Sequence, residues 1–424
     1  MSAYRSSWSP SHAAAGSPGG RRSLAAVVVL VVVIVVAALL VVQSVRKPPG
    51  PTLQPKTVAT HFPGHAPALP WPSQGVATVA VQGIGTVASK AAPGATINQQ
   101  FSIASVAKIM ASYIILKDHP LAPGATGPSI TVTPAEVTQY QQDLAQGDSV
   151  VAVTAGEQIT ELKALEGALL PSGDNIVSLL AQWDAGSVAA FVTKMNAEAS
   201  KLGLTHTHYA DSSGVNPATV STVSDQVKLA MQAMKNPVFA GIVAMAQATF
   251  PGVGVVYNVN ADVGKNGIVG VKTGWIPQGG ASFIFAATHL VSGHTEMVIG
   301  GVMGQTGTSP LTTALSAGTK LAAAVGAVLT RAQVLDAGTV VATLNAPYST
   351  SVPVVATTNA TLLGWPGAPL TEKLVITRAI QAPMAKGTML GHLDVGIGQE
   401  QVQVPVVTAA ALSGPSFGWR LTRF

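Results

Sequence analysis

Ser105-Val106-Ala107-Lys108 is followed by Ser172-Gly173-Asp174 and then by Lys272-Thr273-Gly274, and these three strings decide how the chain is interpreted. The first matches S-x-x-K, the third matches K-T-G, and the second is close to S-x-N. Their order predicts one site assembled from three distant segments. Those segments would contribute a serine nucleophile, a lysine base and a strand that holds an anion.

Ser105 and Lys108 are expected on one face of a helix, because residues three apart are neighbours on a helical surface. A serine hydroxyl is a poor nucleophile unless a base takes its proton. A lysine amine does this only when neutral, and its ordinary pKa is about 10.4, so burial or a nearby cation must favour the neutral form. Lys272 is the candidate cation. Backbone N–H groups at the start of the helix are candidate donors to an oxyanion.

The S-x-x-K pattern alone is weak evidence, because Ser44-Val45-Arg46-Lys47 is a second copy. We assign no chemistry to that copy, since it lies outside any predicted core. The structural alternative treats Lys108 as a surface lysine and the K-T-G string as a turn. We prefer the functional interpretation because all three strings occur in order and each falls on a suitable predicted element.

The formal net charge is +5, but the basic excess is confined to the N-terminal region. Six of the 23 Lys and Arg precede residue 57, whereas all 18 Asp and Glu lie at or after Asp118. This distribution suits anionic headgroups at a membrane surface. It argues against nucleic-acid binding, which usually needs a basic stripe in the folded part. The chain has no Cys, which excludes disulfides and thiolate metal sites, and we expect no metal or other cofactor.

Residues 24–42 are unbroken apolar sequence, just long enough to span a bilayer. We predict an uncleaved transmembrane anchor, because the run is longer than a usual signal core and no small-x-small site follows it. The arginines before the run favour a cytoplasmic N-terminus and an extracytoplasmic remainder.

Residues 1–23 are predicted to be a disordered cytoplasmic tail. Residues 43–75, a Pro-rich linker, are predicted to be an extended spacer that holds the next domain away from the membrane.

Residues 76–331 combine both kinds of periodicity and predict an α+β domain, with an antiparallel sheet flanked by helices. Helices are predicted over 103–117, 157–170, 188–202, 224–234 and 311–330. Strands are predicted twice within 76–89 and over 268–273, 281–289 and 295–301. Residues 332–424 contain short β-type runs separated by Gly and Pro, so we predict a separate small all-β domain.

The segments around the motifs resemble the serine D-alanyl-D-alanine carboxypeptidases, the low-molecular-weight penicillin-binding proteins. The residues that carry this resemblance are 170–175 (family LPSGND), 191–196 (FVxxMN), 203–214 (LGxxxTHFxxxxG), 270–275 (GVKTG) and 382–387 (APVxKG). The resemblance covers everything except the anchor and linker. It implies a penicillin-binding or β-lactamase-like domain over 76–331 and the family's C-terminal β-domain over 332–424.

The resemblance also implies a role for each motif residue. Ser105 would be acylated by the penultimate D-Ala carbonyl of a peptidoglycan stem peptide, Lys108 would be the general base, and Ser172 would relay a proton to the leaving D-Ala. The N–H groups of Ser105 and Trp275 would form the oxyanion hole, and β-lactams would acylate the same serine. The implied substrate-binding residues are Asp174, Asn175, Lys272, Thr273, Gly274 and Trp275, with the two middle ones, Lys272 and Thr273, holding the substrate's terminal carboxylate.

Asp174 departs from the family pattern, which has Asn at this position. An amide both accepts and donates, whereas a carboxylate only accepts. Its negative charge would also favour the charged form of Lys108 and oppose the role of that lysine as base. Three outcomes stay open: Asn175 substitutes through a local shift, the site works differently, or the site is weakened.

Two classes of function follow. The first is an exported, membrane-anchored D,D-carboxypeptidase, and the alternative is a catalytically weakened wall-binding or scaffold protein. A third reading keeps the acyl chemistry but hydrolyses β-lactams or transfers the peptide.

Glu161 and Glu166 precede Ser172 and are expected to be framework or solvated groups, because helical Glu is mostly exposed.

Overall fold

The computed structural model describes residues 19–422, with side chains from residue 23, so most of the predicted tail lies outside the described residues. A 3-10 turn, Ala104–Ala107, precedes the second helix. The helices are α1 (Gly19–Val45), α2 (Lys108–Asp118), α3 (Pro134–Gln146), α4 (Glu161–Leu169), α5 (Asp174–Ala185), α6 (Val188–Lys201), α7 (Val223–Ala233), α8 (Pro237–Val243), α9 (Pro310–Val328) and α10 (Phe417–Thr422).

The strands are β1 (Thr52–Pro55), β2 (Val76–Val81), β3 (Gly85–Ala91), β4 (Phe101–Ser102), β5 (Ser129–Thr131), β6 (Gln158–Thr160), β7 (Val220–Ser221), β8 (Gln247–Phe250), β9 (Gly254–Tyr257), β10 (Ile268–Ile276), β11 (Gly280–Val291), β12 (His294–Gln305), β13 (Thr330–Leu335), β14 (Val340–Ala346), β15 (Ser349–Ala356), β16 (Ala360–Gly364), β17 (Thr371–Ile376), β18 (Met389–Ile397) and β19 (Glu400–Thr408).

A five-stranded antiparallel sheet with the order β10-β11-β12-β2-β3 separates two apolar cores. Successive side chains along β11 point alternately into the two cores: Phe283 and Phe285 face one core, and Ile284 and Ala286 face the other. The first core is covered by α9, and the second by the helices from α2 to α8. Helices on both faces of an antiparallel sheet confirm the predicted α+β class.

The elements differ from their predicted bounds where a short strand adjoins a helix. The helix predicted over 157–170 begins only at Glu161, because Gln158–Thr160 pairs with β5 as a strand. The helix predicted to end at residue 330 ends at Val328, since Thr330 begins β13. We did not predict α3, α5 or α8. The most important of these is α5, because it begins at Asp174 and fixes the second motif.

The C-terminal β region has a six-stranded sheet, ordered β1-β14-β15-β19-β18-β17, and a separate β13–β16 pair. Its buried side chains belong to the same apolar cluster as α9 and the outer face of the central sheet. The guanidinium of Arg331 links the two regions, donating to Glu296 on β12 at 3.3 Å and to Glu400 on β19 at 2.9 Å. The predicted all-β region is confirmed, and it packs directly against the central sheet and α9.

Residues 52–62 of the Pro-rich segment predicted over 43–75 are folded onto this β region, so the prediction of an extended spacer is wrong for that part. β1 pairs with β14, and the backbone N–H of Val58 donates to the Glu372 carboxylate at 3.1 Å. Phe62 is 1 % exposed and lies over Gly364, where a Cβ would approach its ring to 2.7 Å. Proline favours an extended backbone, but an edge strand needs that same backbone, so composition did not distinguish the two.

The side chains of α1 from Ser23 to Val42 are all exposed. Within residues 19–422, two helices are long and apolar enough to cross a membrane: Ser23–Val45, with mean hydropathy 3.6, and α9, with 1.3. The α5–α6 pair, bent by 84°, passes the same test only as a unit. α9 instead covers the central sheet, with Leu321 and Val325 buried there, and α5 and α6 pack in the other core. α1 is therefore the candidate anchor.

Candidate active site

The first motif brings a hydroxyl and an amine together at the junction of the 3-10 turn and α2. The Lys108 Nζ lies 2.8 Å from the Ser105 Oγ. Lys108 is completely buried, whereas Ser105 is half-buried. The hydroxyl is thus reachable from outside while the amine is shielded from water, as a nucleophile and its base require.

Two further groups hold the Lys108 amine. Its Nζ lies 2.6 Å from the Asp174 Oδ1 and 3.1 Å from the carbonyl oxygen of Ser213. The other Asp174 oxygen accepts the backbone N–H of Ser149 at 3.1 Å. Asp174 also opens α5, where the helix dipole favours a negative charge. The second motif therefore meets the first through a buried ion pair.

Two non-glycine residues with left-handed backbone lie in these motif turns. Ala104, directly before Ser105, has φ 48°, and Ser172 has φ 69°. Such conformations are uncommon outside glycine and cluster at functional sites. Ser172 is 3 % exposed, and its Oγ has no hydrogen-bond partner among residues 19–422.

Asn175 does not take the place of the usual amide in the second motif. Its Oδ1 accepts the N–H of Val151 at 3.0 Å, and its Nδ2 donates to the carbonyl of the same residue at 2.8 Å. Both ends of the side chain are therefore committed to the 151 backbone. In this structure Asp174, and not Asn175, is therefore the residue that meets Lys108, and a substrate-binding role for Asn175 stays a prediction.

The third motif lies on β10, which is at the edge of the central sheet. A Cβ on Gly274 would lie 2.6 Å from the carbonyl oxygen of Ile103 and 3.1 Å from the nitrogen of Val106. This glycine therefore lets β10 press against the turn that carries Ser105. Thr273 is 3 % exposed, and Trp275 is 52 % exposed at the end of the motif.

Lys272 is 2 % exposed and sits in the electrostatic field of the Lys108–Asp174 pair. Burial, with a further contribution from the Lys108 charge, lowers the pKa of Lys272 to about 7, although Asp174 opposes this shift. The Lys272 Nζ donates to the carbonyl of Thr273 at 3.2 Å. The three motifs thus meet around two lysines and one carboxylate.

Sequence reasoning missed two backbone groups of this site, the carbonyl of Ser213 and the N–H of Ser149. No side-chain pattern marks a backbone acceptor. The only signal was the Gly214 that follows Ser213, because a glycine often marks a tight backbone approach.

Residues 93–306 match the family described as D-alanyl-D-alanine carboxypeptidase. A D-alanyl-D-alanine carboxypeptidase of Streptomyces sp. strain K15 is 30 % identical over 257 residues, which cover 55 % of this chain and 85 % of that protein. The crystal structure of the Streptomyces K15 DD-transpeptidase aligns with TM-score 0.52 and 28 % identity, over 60 % of this chain and 97 % of that one.

A broader likeness includes the C-terminal β region. Penicillin binding protein 5 from Haemophilus influenzae aligns with TM-score 0.58 over 82 % of this chain and 99 % of that one, at 19 % identity, which bears on the fold alone. The family match spans half of the chain and contains all three motifs. This chain belongs to the D-alanyl-D-alanine carboxypeptidase family and is a serine enzyme of that kind.

Proposed function

We propose that the chain is a membrane-anchored enzyme that removes the terminal D-Ala of peptidoglycan stem peptides through an acyl-enzyme on Ser105. The observation that carries this proposal is the 2.8 Å approach of the buried Lys108 Nζ to the Ser105 Oγ. In this proposal residues 76–331 are the peptidase domain and residues 332–424 are a β-domain, and α1 anchors both.

The partners of Lys108 determine how it acts as a base. A neutral amine has two N–H bonds and one lone pair. Asp174 Oδ1 and the Ser213 carbonyl can only accept, so they take the two N–H bonds. The lone pair is then left for the Ser105 O–H. Lys108 takes that proton while the Ser105 Oγ attacks the penultimate D-Ala carbonyl.

The remaining motif residues bind the substrate and release the leaving group. The Lys272 ammonium and the Thr273 hydroxyl hold the terminal carboxylate. The backbone N–H groups of Ser105 and Trp275 donate hydrogen bonds to the oxyanion, and the loss of one such donor typically costs about 3–4 kcal/mol. The hydroxyl of Ser172, which has no partner within residues 19–422, relays the proton from Lys108 to the departing D-Ala amine by taking that proton and giving up its own. Water then hydrolyses the acyl-enzyme. A β-lactam carries an acyl group and a carboxylate in the same relation and acylates Ser105.

The anchor proposal rests on α1, whose 23-residue apolar segment Ser23–Val45 has exposed side chains from Ser23 to Val42. The arginines that precede it favour a cytoplasmic N-terminus, which puts the active site outside the cell membrane, where peptidoglycan lies. Because the segment after α1 is docked on the β region, the enzyme would stand close to the membrane.

One observation favours a second candidate, a wall-binding scaffold with a weakened site. The Asp174 carboxylate lies 2.6 Å from the Lys108 Nζ, where the family pattern has an amide, and a carboxylate cannot donate a hydrogen bond to the substrate carbonyl. A protein of this kind would bind stem peptides without turning them over.

Fluorescent penicillin labelling of the full chain separates the two candidates. We expect the wild-type protein to form a covalent adduct. Ser105→Ala should abolish this adduct, and Ser44→Ala, which changes the second S-x-x-K copy, should leave it unchanged. Release of D-Ala from a D-Ala-D-Ala peptide should follow the same pattern. An unlabelled wild-type protein that still binds peptidoglycan would support the scaffold, and a label that survives in Ser105→Ala would contradict the proposed nucleophile.

A further inference from the structure

The Ser213 carbonyl reaches Lys108 because of a compact loop over residues 211–215 that folds around one carboxylate. The Asp211 Oδ2 accepts the N–H groups of Gly214 and Val215, each at 2.9 Å, and the hydroxyl of Ser213 at 3.2 Å. The Asp211 Oδ1 accepts the hydroxyl of Thr219. A single side chain therefore sets the path of the backbone that carries the Ser213 carbonyl.

The same loop contacts the turn that holds the nucleophile. A Cβ on Gly214, where φ is +90°, would lie 1.8 Å from the carbonyl oxygen of Ala104, so the two backbones are in direct contact. Ala104 immediately precedes Ser105. Four residues beyond the loop, the carbonyl of Thr219, whose hydroxyl is bound by Asp211, accepts the N–H of Ile103 at 3.1 Å. The loop thus supports both members of the Ser105–Lys108 pair.

The negative charge of Asp211 is required by the hydrogen-bond arrangement around Thr219. The Thr219 Oγ1 accepts the N–H of Ala210 at 2.9 Å and the N–H of Asp211 at 3.2 Å. A hydroxyl has two lone pairs, so both are used, and its hydrogen must point to Asp211. An Asn at 211 would have to face either Thr219 or the Gly214 N–H with its NH₂ group. On the Thr219 side both lone pairs of the hydroxyl are already used, and on the loop side the N–H groups of Gly214 and Val215 would lose their acceptor, with only the Ser213 hydroxyl able to accept.

We infer that Asp211 is a positioning residue of the acylation step: its carboxylate folds the 211–215 loop so that the Ser213 carbonyl orients the Lys108 amine toward Ser105. This inference rests on the proposed function, because it assigns Lys108 as the base. Asp211 does not touch the substrate and acts only through the loop. Its loss should therefore slow acylation without weakening the initial binding of the acyl donor.

The test measures acylation of the full chain in detergent by fluorescent penicillin, over a range of concentrations that separates the binding constant from the acylation rate constant. Asp211→Asn should lower the rate constant by about 10–100-fold, as expected when a catalytic group is displaced by about 1 Å. The binding constant should stay within about twofold. Thr219→Val, which removes the hydroxyl that Asp211 accepts, should lower the rate constant in the same way.

Asp225→Asn is the matched control. The Asp225 carboxylate accepts the N–H of His206 and the hydroxyl of Thr207, both at 2.9 Å, and within residues 19–422 it has no hydrogen bond to the 211–215 loop or to Lys108. This control should lose thermal stability and keep the acylation rate constant. The inference is overturned if Asp211→Asn is acylated at the wild-type rate. It is also overturned if Asp211→Asn and Asp225→Asn lose acylation rate in proportion to their loss of melting temperature. A wild-type protein that is not acylated would instead contradict the proposed function and this inference with it.

Discussion

Asp174 and Lys108 form a buried ion pair of 2.6 Å at the position where the family resemblance places a neutral amide. A second lysine, Lys272, is buried within reach of the same charges. Two ammonium groups in one dry site repel each other, and the carboxylate offsets that repulsion. The carboxylate also stands where an amide could donate a hydrogen bond to the substrate, and a carboxylate can only accept.

Replacing Asp174 with Asn should therefore exchange stability for reactivity. An Asn at 174 restores an amide that donates as well as accepts, and we expect penicillin acylation to accelerate by about tenfold, the equivalent of 1.4 kcal/mol. The same change leaves two buried lysines without their counter-charge and should lower the free energy of unfolding by about 3 kcal/mol. Acylation rates and urea denaturation measure the two effects.

The control for this exchange is Asp184→Asn, which removes a buried carboxylate that pairs with Lys194 at 2.5 Å, away from the motifs. It should destabilise the protein without changing the acylation rate. Slower acylation of Asp174→Asn at every pH between 6 and 9 would mean that the carboxylate assists catalysis here.

Gly274 should tolerate no side chain, because its neighbours are backbone atoms. A Cβ 2.6 Å from the Ile103 carbonyl oxygen would push β10 away from the turn that carries Ser105. Gly274→Ala should lower the free energy of unfolding by about 1–3 kcal/mol and abolish most acylation. Gly241→Ala, in the exposed α8 position with open space around it, should be neutral or slightly stabilising. Wild-type acylation by Gly274→Ala would contradict the close approach.

The charge of Lys272 makes substrate binding depend on pH. Its pKa is lowered to about 7, so the ammonium that holds the substrate carboxylate is present below that pH and is lost above it. The KM for a D-Ala-D-Ala peptide should rise above pH 7, by up to about tenfold per pH unit. A peptide with a C-terminal amide, which has no carboxylate, should show a flat KM from pH 6 to 9. A flat KM for the acid as well would contradict the assigned role of Lys272.

Much of the fold and site was predictable because the informative residues lie on long periodic elements. The strands β10, β11 and β12 and the helices α6 and α9 follow from apolar periodicity, and the motifs mark where they meet. The nearness of Ser105 and Lys108 follows from their spacing alone.

The parts that sequence reasoning missed depend on contacts between distant backbones. Asn175 is one residue from the motif position, but its amide is drawn to the backbone of Val151, which no local pattern reveals. Gly274 was named only as an implied substrate-binding residue, and its close approach to the Ile103–Val106 turn appears only in the structure. Pairing between β1 and β14 joins segments almost three hundred residues apart, as the Thr52–Asn345 register shows.

The docked linker predicts a stability effect that a free spacer would not show. Phe62 is 1 % exposed in the core of the β region, so Phe62→Ala should lower the free energy of unfolding by about 3–5 kcal/mol. His65→Ala, three residues later and exposed, should change it by less than about 0.5 kcal/mol. Chemical denaturation of both variants measures the difference. Equal stabilities would show that residues 58–65 do not pack on the β region in solution.

Glu161 is a buried carboxyl that the proposed reaction does not use. It was expected to be a framework or solvated group, but it is 0 % exposed, and neither of its oxygens has a hydrogen-bond partner among residues 19–422. Burial raises the pKa of Glu161 from 4.5 to about 7. The folded chain therefore binds this proton more tightly than the unfolded chain does, and folding is favoured most below pH 4.5.

Stability should accordingly fall as the pH rises from about 4.5 to 7, and Glu161→Gln should remove that fall. Because a neutral amide does not ionise, the variant should gain about 2–3 kcal/mol relative to wild type between pH 4 and pH 8. Glu166→Gln is the control: its carboxylate pairs with Lys163 at 2.6 Å, so its loss should destabilise the protein and give no such gain. Urea denaturation across this pH range measures both. Parallel curves for wild type and Glu161→Gln would mean that Glu161 is ionised, and therefore solvated or paired, in the folded protein.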